Sequence, residues 1–307
     1  MIYQNASEII GNTPLLRLNN IEKHLNLNVG LYAKVEYFNP TGSVKDRIAL
    51  SMIETAEKQG KLRPNSVIIE PTSGNTGVGL ASVCAAKGYK CILVMPETMS
   101  KERVKLMNAY GAEVVLSSGK LGMKGSVDKA EELAKQYEDS FIPSQFENPS
   151  NPEIHFRTTG PEIYKSLNKK VDIFVAGIGT GGTVTGVGKF LKQNNKNIKV
   201  IGVEPADSPL LTTGKAGPHK IQGIGANFVP KTLDKKYIDE FLTATTEESF
   251  EFARLLGKKE GILVGISAGA VLSAAVKLAK RYENNGKNIV VLLPDSGDRY
   301  LSTELFN

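Results

Sequence analysis

The sequence predicts an α/β protein made of two doubly wound domains with mainly parallel twisted sheets. Three observations predict it. Short runs rich in β-branched residues alternate with longer amphipathic runs along most of the chain. Several junctions between them are short turns of Gly, Ser and Thr, as at strand-to-helix corners. The length, 307 residues, suits about two domains.

The strand candidates in order are SVIIE (66–70), KCILVM (90–95), AEVVL (112–116), VDIFVA (171–176), IKVIGVE (198–204) and IVVLL (289–293). Helical periodicity marks SVKDRIALSMIETAEKQ before Gly60, SKERVKLMNAY before Gly111, and AGAVLSAAVKLAKRYE. A glycine after each of the first two is the usual helix stop. QFENPSNPEI (145–154), rich in Asn and Pro, is the best boundary candidate. The expected division is a smaller domain over 40–147, with a mobile part, and a larger one from 1–39 and 148–307. The segment 205–230 is long and rich in Gly and Pro, the profile of a functional loop.

Composition excludes several classes. The chain is 41% hydrophobic and 23% charged, ordinary for a globular protein. It has no run of 18 apolar residues and no signal-peptide pattern at its N-terminus, so no membrane association is expected and a cytoplasmic location is. Cys84 and Cys91 lack metal spacing and the three histidines are dispersed, so no metal site is expected. The net charge of +6 comes from scattered lysines without a basic, aromatic-interleaved stripe, so no nucleic acid is expected.

Four turns carry the chemistry. In NPTGSVKDR (39–47), Ser43 suits an N-cap and Lys45 falls in the first helical turn. The helix dipole disfavours a positive charge there, which makes Lys45 a candidate imine-forming amine. PTSGNTG (71–77) follows a strand and opens a helix, so its N–H groups and hydroxyls form an anion site. Thr72 or Ser73 could cap that helix. GISAGA (265–270) places Ser267 at a third helix start. In VDIFVAGIGTGGTVTG (171–186), Gly177, Gly179 and Gly182 spell G-x-G-x-x-G, and Glu204 stands where a dinucleotide fold puts its ribose-binding acid. Two threonines flanking a doubled glycine, Thr180 and Thr183, suit a terminal phosphate better than a pyrophosphate. In parallel sheets such turns lie at the carboxyl ends of strands, where ligands bind.

With these motifs and QFENPSNPEIHFRTTGPEI, VEP, GPHKIQGIGANFVP and PDSGDRYLST, the chain resembles the cysteine synthase (O-acetylserine sulfhydrylase) family. These are pyridoxal-phosphate enzymes of the tryptophan-synthase-β fold type. The resemblance spans nearly the whole chain, in order. It implies a cofactor held in the cleft between two domains, and a phosphate rather than NAD at the glycine loop.

The resemblance implies a role for each matching residue. Lys45 holds pyridoxal 5′-phosphate and takes the substrate's α-proton. Gly179, Thr180, Gly181, Gly182 and Thr183 bind the phosphate, and Ser267 bonds the pyridine nitrogen. Thr72, Ser73, Asn75, Thr76 and Gln145 bind the substrate carboxylate, and Asn75 also meets the cofactor's 3′-oxygen. The implied reaction is ping-pong β-replacement: O-acetyl-L-serine loses acetate to give an aminoacrylate, and sulfide adds to form L-cysteine. A neutral hydroxyl on the pyridine nitrogen favours that course over transamination. A homodimer and docking of a serine acetyltransferase tail are further implications.

The chain departs from the family pattern at Asn227, where a small glycine is common, at Ala268, and at Asp295-Ser296. A polar Asn227 could orient a water or an incoming nucleophile near the substrate. The alternative reading is therefore β-replacement on L-cysteine, releasing hydrogen sulfide and forming serine, lanthionine or cystathionine. The haem leader and regulatory module of full-length cystathionine β-synthases are not expected here. Serine and threonine dehydratases share the fold, but their motifs match poorly.

Overall fold

A computed structural model describes residues 2–307. The strands among them are β1 (Leu15–Arg17), β2 (Gly30–Val35), β3 (Val67–Pro71), β4 (Lys90–Pro96), β5 (Glu113–Ser117), β6 (Ser140–Phe141), β7 (Ile173–Gly177), β8 (Lys199–Pro205), β9 (Glu240–Ala244) and β10 (Asn288–Leu293). The chain divides into two compact units. One holds Asn39–Ser150 with the N-terminal residues through Ile10; the other holds Gly11–Phe38 and Asn151–Asn307.

The first unit is built on a four-stranded sheet, β5-β4-β3-β6, whose pairings are all parallel. β3 and β4 are almost wholly buried, so both read as apolar runs, interrupted in β3 by the buried Glu70. Val67, Ile69, Ile92, Val94 and Ala130 form a core on one face. The helices Lys45–Lys58 and Asn75–Lys87 pack closely together. Gly79 lets them approach, since a Cβ there would stand 3.2 Å from the carbonyl oxygen of Lys45.

The second unit carries a six-stranded sheet in the order β1-β2-β10-β7-β8-β9. β1 is antiparallel to β2 and every other pairing is parallel. The helix Ile266–Ala279 is buried on nearly every side, and its alanines and Val271, Leu272 and Val276 fill the main core with β7, β8 and β10. The predicted α/β class with parallel sheets is what the structure has.

The predicted strands and helices are all present, within two residues for the strands. β1, β2, β6 and β9 are additions that the sequence did not announce. Gly60 and Gly111 follow their helices at φ +68° and +85°, as helix stops do. No helix among the described residues is long and apolar enough to cross a membrane. Cys84 and Cys91 are buried, and neither is in a disulfide.

Candidate active site

In the first unit, the lysine helix begins at Lys45 itself, one residue later than a Ser43 cap would place it. The Ser43 hydroxyl nevertheless accepts the Lys45 N–H at 3.2 Å. The preceding turn has Gly42 at φ +78°. It is locked by Asp46, whose buried carboxylate accepts the Thr41 N–H at 2.7 Å and the Thr41 hydroxyl. An acid in the first turn suits the helix dipole, and this one fixes where the lysine starts.

The PTSGNTG turn joins β3 to the helix Asn75–Lys87. No side chain caps that helix; its cap position is Gly74, and Thr72 Oγ1 accepts the Gly74 N–H at 3.3 Å. The expected Thr72 or Ser73 cap is therefore absent. Gln145 lies across the turn: Thr76 Oγ1 donates to its Oε1 at 2.6 Å and its Nε2 reaches Thr72 Oγ1 at 3.5 Å. Arg103 donates to the Ser73 carbonyl at 2.6 Å, bringing a positive charge to the loop. Uncapped N–H groups, two hydroxyls, a carboxamide and a nearby guanidinium make a surface chemically suited to an anion such as a carboxylate.

Beneath this surface lies Glu70, the fourth residue of β3 and 1% exposed. Its carboxylate accepts the N–H groups of Ser144 at 2.9 Å and Gln145 at 3.2 Å. Burial pushes its pKa up to about 7, against the pull of those two bonds.

In the second unit, β7 feeds the helix Gly182–Asn194 through Gly177–Gly181. This helix also lacks a side-chain cap, and no acid stands in its first turn. Gly181 sits at φ +78°, and a Cβ there would come 2.7 Å from the Leu233 Cβ. A Cβ on Gly182 would overlap Asn151 Oδ1, and one on Gly179 would overlap the Gly223 carbonyl. Asn151 Nδ2 donates to Thr180 Oγ1 at 3.0 Å. Thr183 Oγ1 lies 3.2 Å from Nε2 of His155, whose Nδ1 lies 2.9 Å from Thr159 Oγ1. His155 opens a π-helical turn, His155–Thr159, a rare geometry that often marks functional positions.

In the sequence His155 counts only as one of three dispersed histidines, and neither Asn151 nor Glu70 stands out as a site residue. Glu70 carried a signal, an acid ending an apolar run that reads as fully buried. His155 and Asn151 carried none of their own, beyond lying in QFENPSNPEIHFRTTGPEI.

Ser267 is 2% exposed in the first turn of the helix Ile266–Ala279, again without a side-chain cap. Gly223, at φ +94°, lies beside it: a Cβ there would stand 3.5 Å from the Ser267 hydroxyl, in ordinary contact. Asp295 braces this region: its carbonyl accepts the Gly265 N–H at 3.2 Å and its carboxylate accepts the Tyr300 hydroxyl at 2.7 Å. Ala268 is completely buried. Asn227 stands at φ +63°, where asparagine is tolerated, and its Oδ1 accepts the Ser208 hydroxyl at 2.7 Å. Glu204 is 3% exposed and accepts the N–H groups of Leu211 and Thr212, each at 2.8 Å. Both its oxygens are committed to its own loop, so Glu204 does not stand as a ribose-binding acid for the G-x-G-x-x-G turn. Among the described residues no cluster of His, Cys, Asp or Glu could hold a metal ion.

The glycine cradle with its two hydroxyls fits a phosphate, and Lys45 fits an aldehyde. The family model for pyridoxal-phosphate dependent enzymes matches residues 6–295, and the chain belongs to that family. Within it, the chain is 52% identical over 304 residues to a cysteine synthase of Staphylococcus aureus, covering 99% of this chain and 97% of that one. The crystal structure of a cysteine synthase from Entamoeba histolytica superposes with a TM-score of 0.97 at 43% identity, over 100% of this chain and 91% of that one. That of a hydrogen sulfide-producing enzyme from Fusobacterium nucleatum gives 0.94 at 50% identity, over 98% and 99%.

Proposed function

We propose that the chain makes L-cysteine by β-replacement: sulfide displaces the acetoxy group of O-acetyl-L-serine, and acetate leaves. The observation that carries this is the 52% identity to a cysteine synthase across 99% of the chain. Pyridoxal phosphate supplies the aldehyde that holds the amino group and the conjugated ring that accepts electrons from Cα.

The residues divide the work. Gly179, Thr180, Gly181, Gly182 and Thr183 hold the phosphate at the uncapped helix N-terminus. Ser267 offers a neutral hydroxyl to the pyridine nitrogen. Lys45 holds the aldehyde at rest. Displaced by the substrate, its amine takes the Cα proton as acetate leaves from Cβ, and returns it after sulfide has bonded to Cβ. Thr72, Ser73, Asn75, Thr76 and Gln145 bind the carboxylate and aim the Cα–H bond at Lys45. Asn75 also reaches the 3′-oxygen of the ring. Asn227 lies near the incoming nucleophile.

The test is direct. The loaded protein is given O-acetylserine and sulfide, and cysteine and acetate are measured. Equal amounts of both are expected; no cysteine would refute the reading. A second reading is supported by the likeness to the hydrogen sulfide-producing enzyme. It has L-cysteine as the substrate, with sulfide released and water or a thiol added. Faster sulfide release from cysteine alone than cysteine formation from O-acetylserine would establish it. A cytoplasmic homodimer, and docking of a serine acetyltransferase tail, are supported by the family resemblance. Light scattering tests the first, and competition of the tail with O-acetylserine tests the second.

A further inference from the structure

Gln145 does not hold its place through its own side chain alone. It stands at the end of the segment after β6, next to Ser144, which is in the left-handed region at φ +56°. A serine rarely adopts that conformation without help from its surroundings. Here the help is the carboxylate of Glu70, which accepts the Ser144 and Gln145 N–H groups with one oxygen each. Glu70 is two residues before Thr72, which follows directly on the end of β3. One side chain thus ties both ends of the cluster Thr72–Gln145–Thr76.

Burying a carboxylate on an otherwise apolar strand opposes folding unless it is fully bonded. An alanine or valine would fill the position without that penalty, and the Ser144 turn would lose its support. We infer that Glu70 is a positioning residue for substrate binding: its carboxylate sets the Ser144–Gln145 backbone, and through it the Gln145 carboxamide that receives the amino acid's carboxylate. This rests on reading the Thr72–Gln145 cluster as the carboxylate site. Glu70 itself touches no reacting atom.

Glu70→Gln is the informative change. It keeps the shape, but one acceptor oxygen becomes an NH2 group facing a backbone N–H. Two measurements are made on the loaded enzyme. One is binding of L-alanine, followed by the visible absorption band; it has the amino and carboxylate groups but no β-leaving group, so affinity is read without turnover. The other is steady-state turnover of O-acetylserine with sulfide. Glu70→Gln is expected to weaken L-alanine about tenfold and raise KM for O-acetylserine equally, with kcat within about twofold. In a Gln145→Ala background the same change should matter less than twofold, because the two act in series. Glu70→Asp keeps the charge one methylene short and should fall between; it carries the test should Glu70→Gln not fold.

Unchanged L-alanine affinity in a folded Glu70 variant would overturn the inference. So would an undiminished effect in the Gln145→Ala background. If wild-type protein binds L-alanine but makes no cysteine, the synthase reading fails and the Glu70 test still stands.

Discussion

The Thr183 hydroxyl, in the first turn of the glycine-loop helix, is held 3.2 Å from Nε2 of His155. The histidine is 1% exposed, and its other nitrogen is engaged by Thr159. The glycine loop therefore has a buried partner 28 residues upstream that fixes the direction of one of its hydroxyls. Replacing His155 by Leu should weaken pyridoxal phosphate binding about five- to tenfold, the effect of one neutral hydrogen bond. Thr183→Val should do at least as much, and the double variant little more than Thr183→Val alone. Reconstitution of the cofactor-free protein, followed by absorbance, measures all three.

Gly182→Ala should be far more damaging, because the added methyl would overlap Asn151 Oδ1. We expect more than a hundredfold loss of cofactor affinity and about 1–3 kcal/mol of overpacking strain. Gly214→Ala is the control. It sits at positive φ, +78°, in open space, so its strain is of the backbone alone. It should cost about 1–2 kcal/mol of backbone strain with cofactor affinity unchanged. Equal effects on cofactor binding from the two would refute the cradle.

Stability in the second unit should depend on an ion pair between a buried lysine and a partly buried acid. Lys34 is 0% exposed on β2, donating to the Thr13 carbonyl at 2.5 Å and to Glu162 at 2.6 Å. Glu162 also accepts the Asn12 N–H at 3.1 Å. Lys34→Met leaves that acid without its cation and should destabilise by about 3 kcal/mol. Adding Glu162→Gln should recover part of the loss. Thermal unfolding of the two variants checks both statements.

Glu70 makes stability depend on pH in a definite direction. Its pKa rises from 4.5 to about 7 on folding, so between those values the folded chain holds a proton that the unfolded chain has released. Its contribution is therefore full below pH 4.5 and is lost as pH rises through 7. The difference is about 3 kcal/mol at 1.36 kcal/mol per unit. Urea unfolding at pH 5 and pH 8 should show wild type losing about that much more than Glu70→Gln. An equal pH response in both would refute it.

Much of this was legible in one dimension. β3, β4, β7, β8 and β10 announce themselves because both faces are buried, so each holds a run of at least three consecutive apolar residues. The glycine- and hydroxyl-rich turns did likewise, because backbone geometry and anion binding demand those residues locally. β1 and β6, of three and two residues, are too short to show a pattern. β2 hides behind the buried Lys34, whose charge breaks the apolar run. β9 is a half-buried edge strand, EFLTA, with no clean alternation. Partners far apart in sequence were invisible. Glu70 meets Gln145 across 75 residues, and nothing local in either segment records the other.

Glu204 shows how one spelling of a glycine turn can stand over different geometries. Its carboxylate clasps the backbone of Leu211 and Thr212, and the Thr212 hydroxyl as well. A designer wishing to convert this turn into a nucleotide receptor would find the glycines ready and the acid already committed. Freeing it would unravel the short turn Leu210–Thr213, so the retrofit would have to begin with a new anchor for that loop.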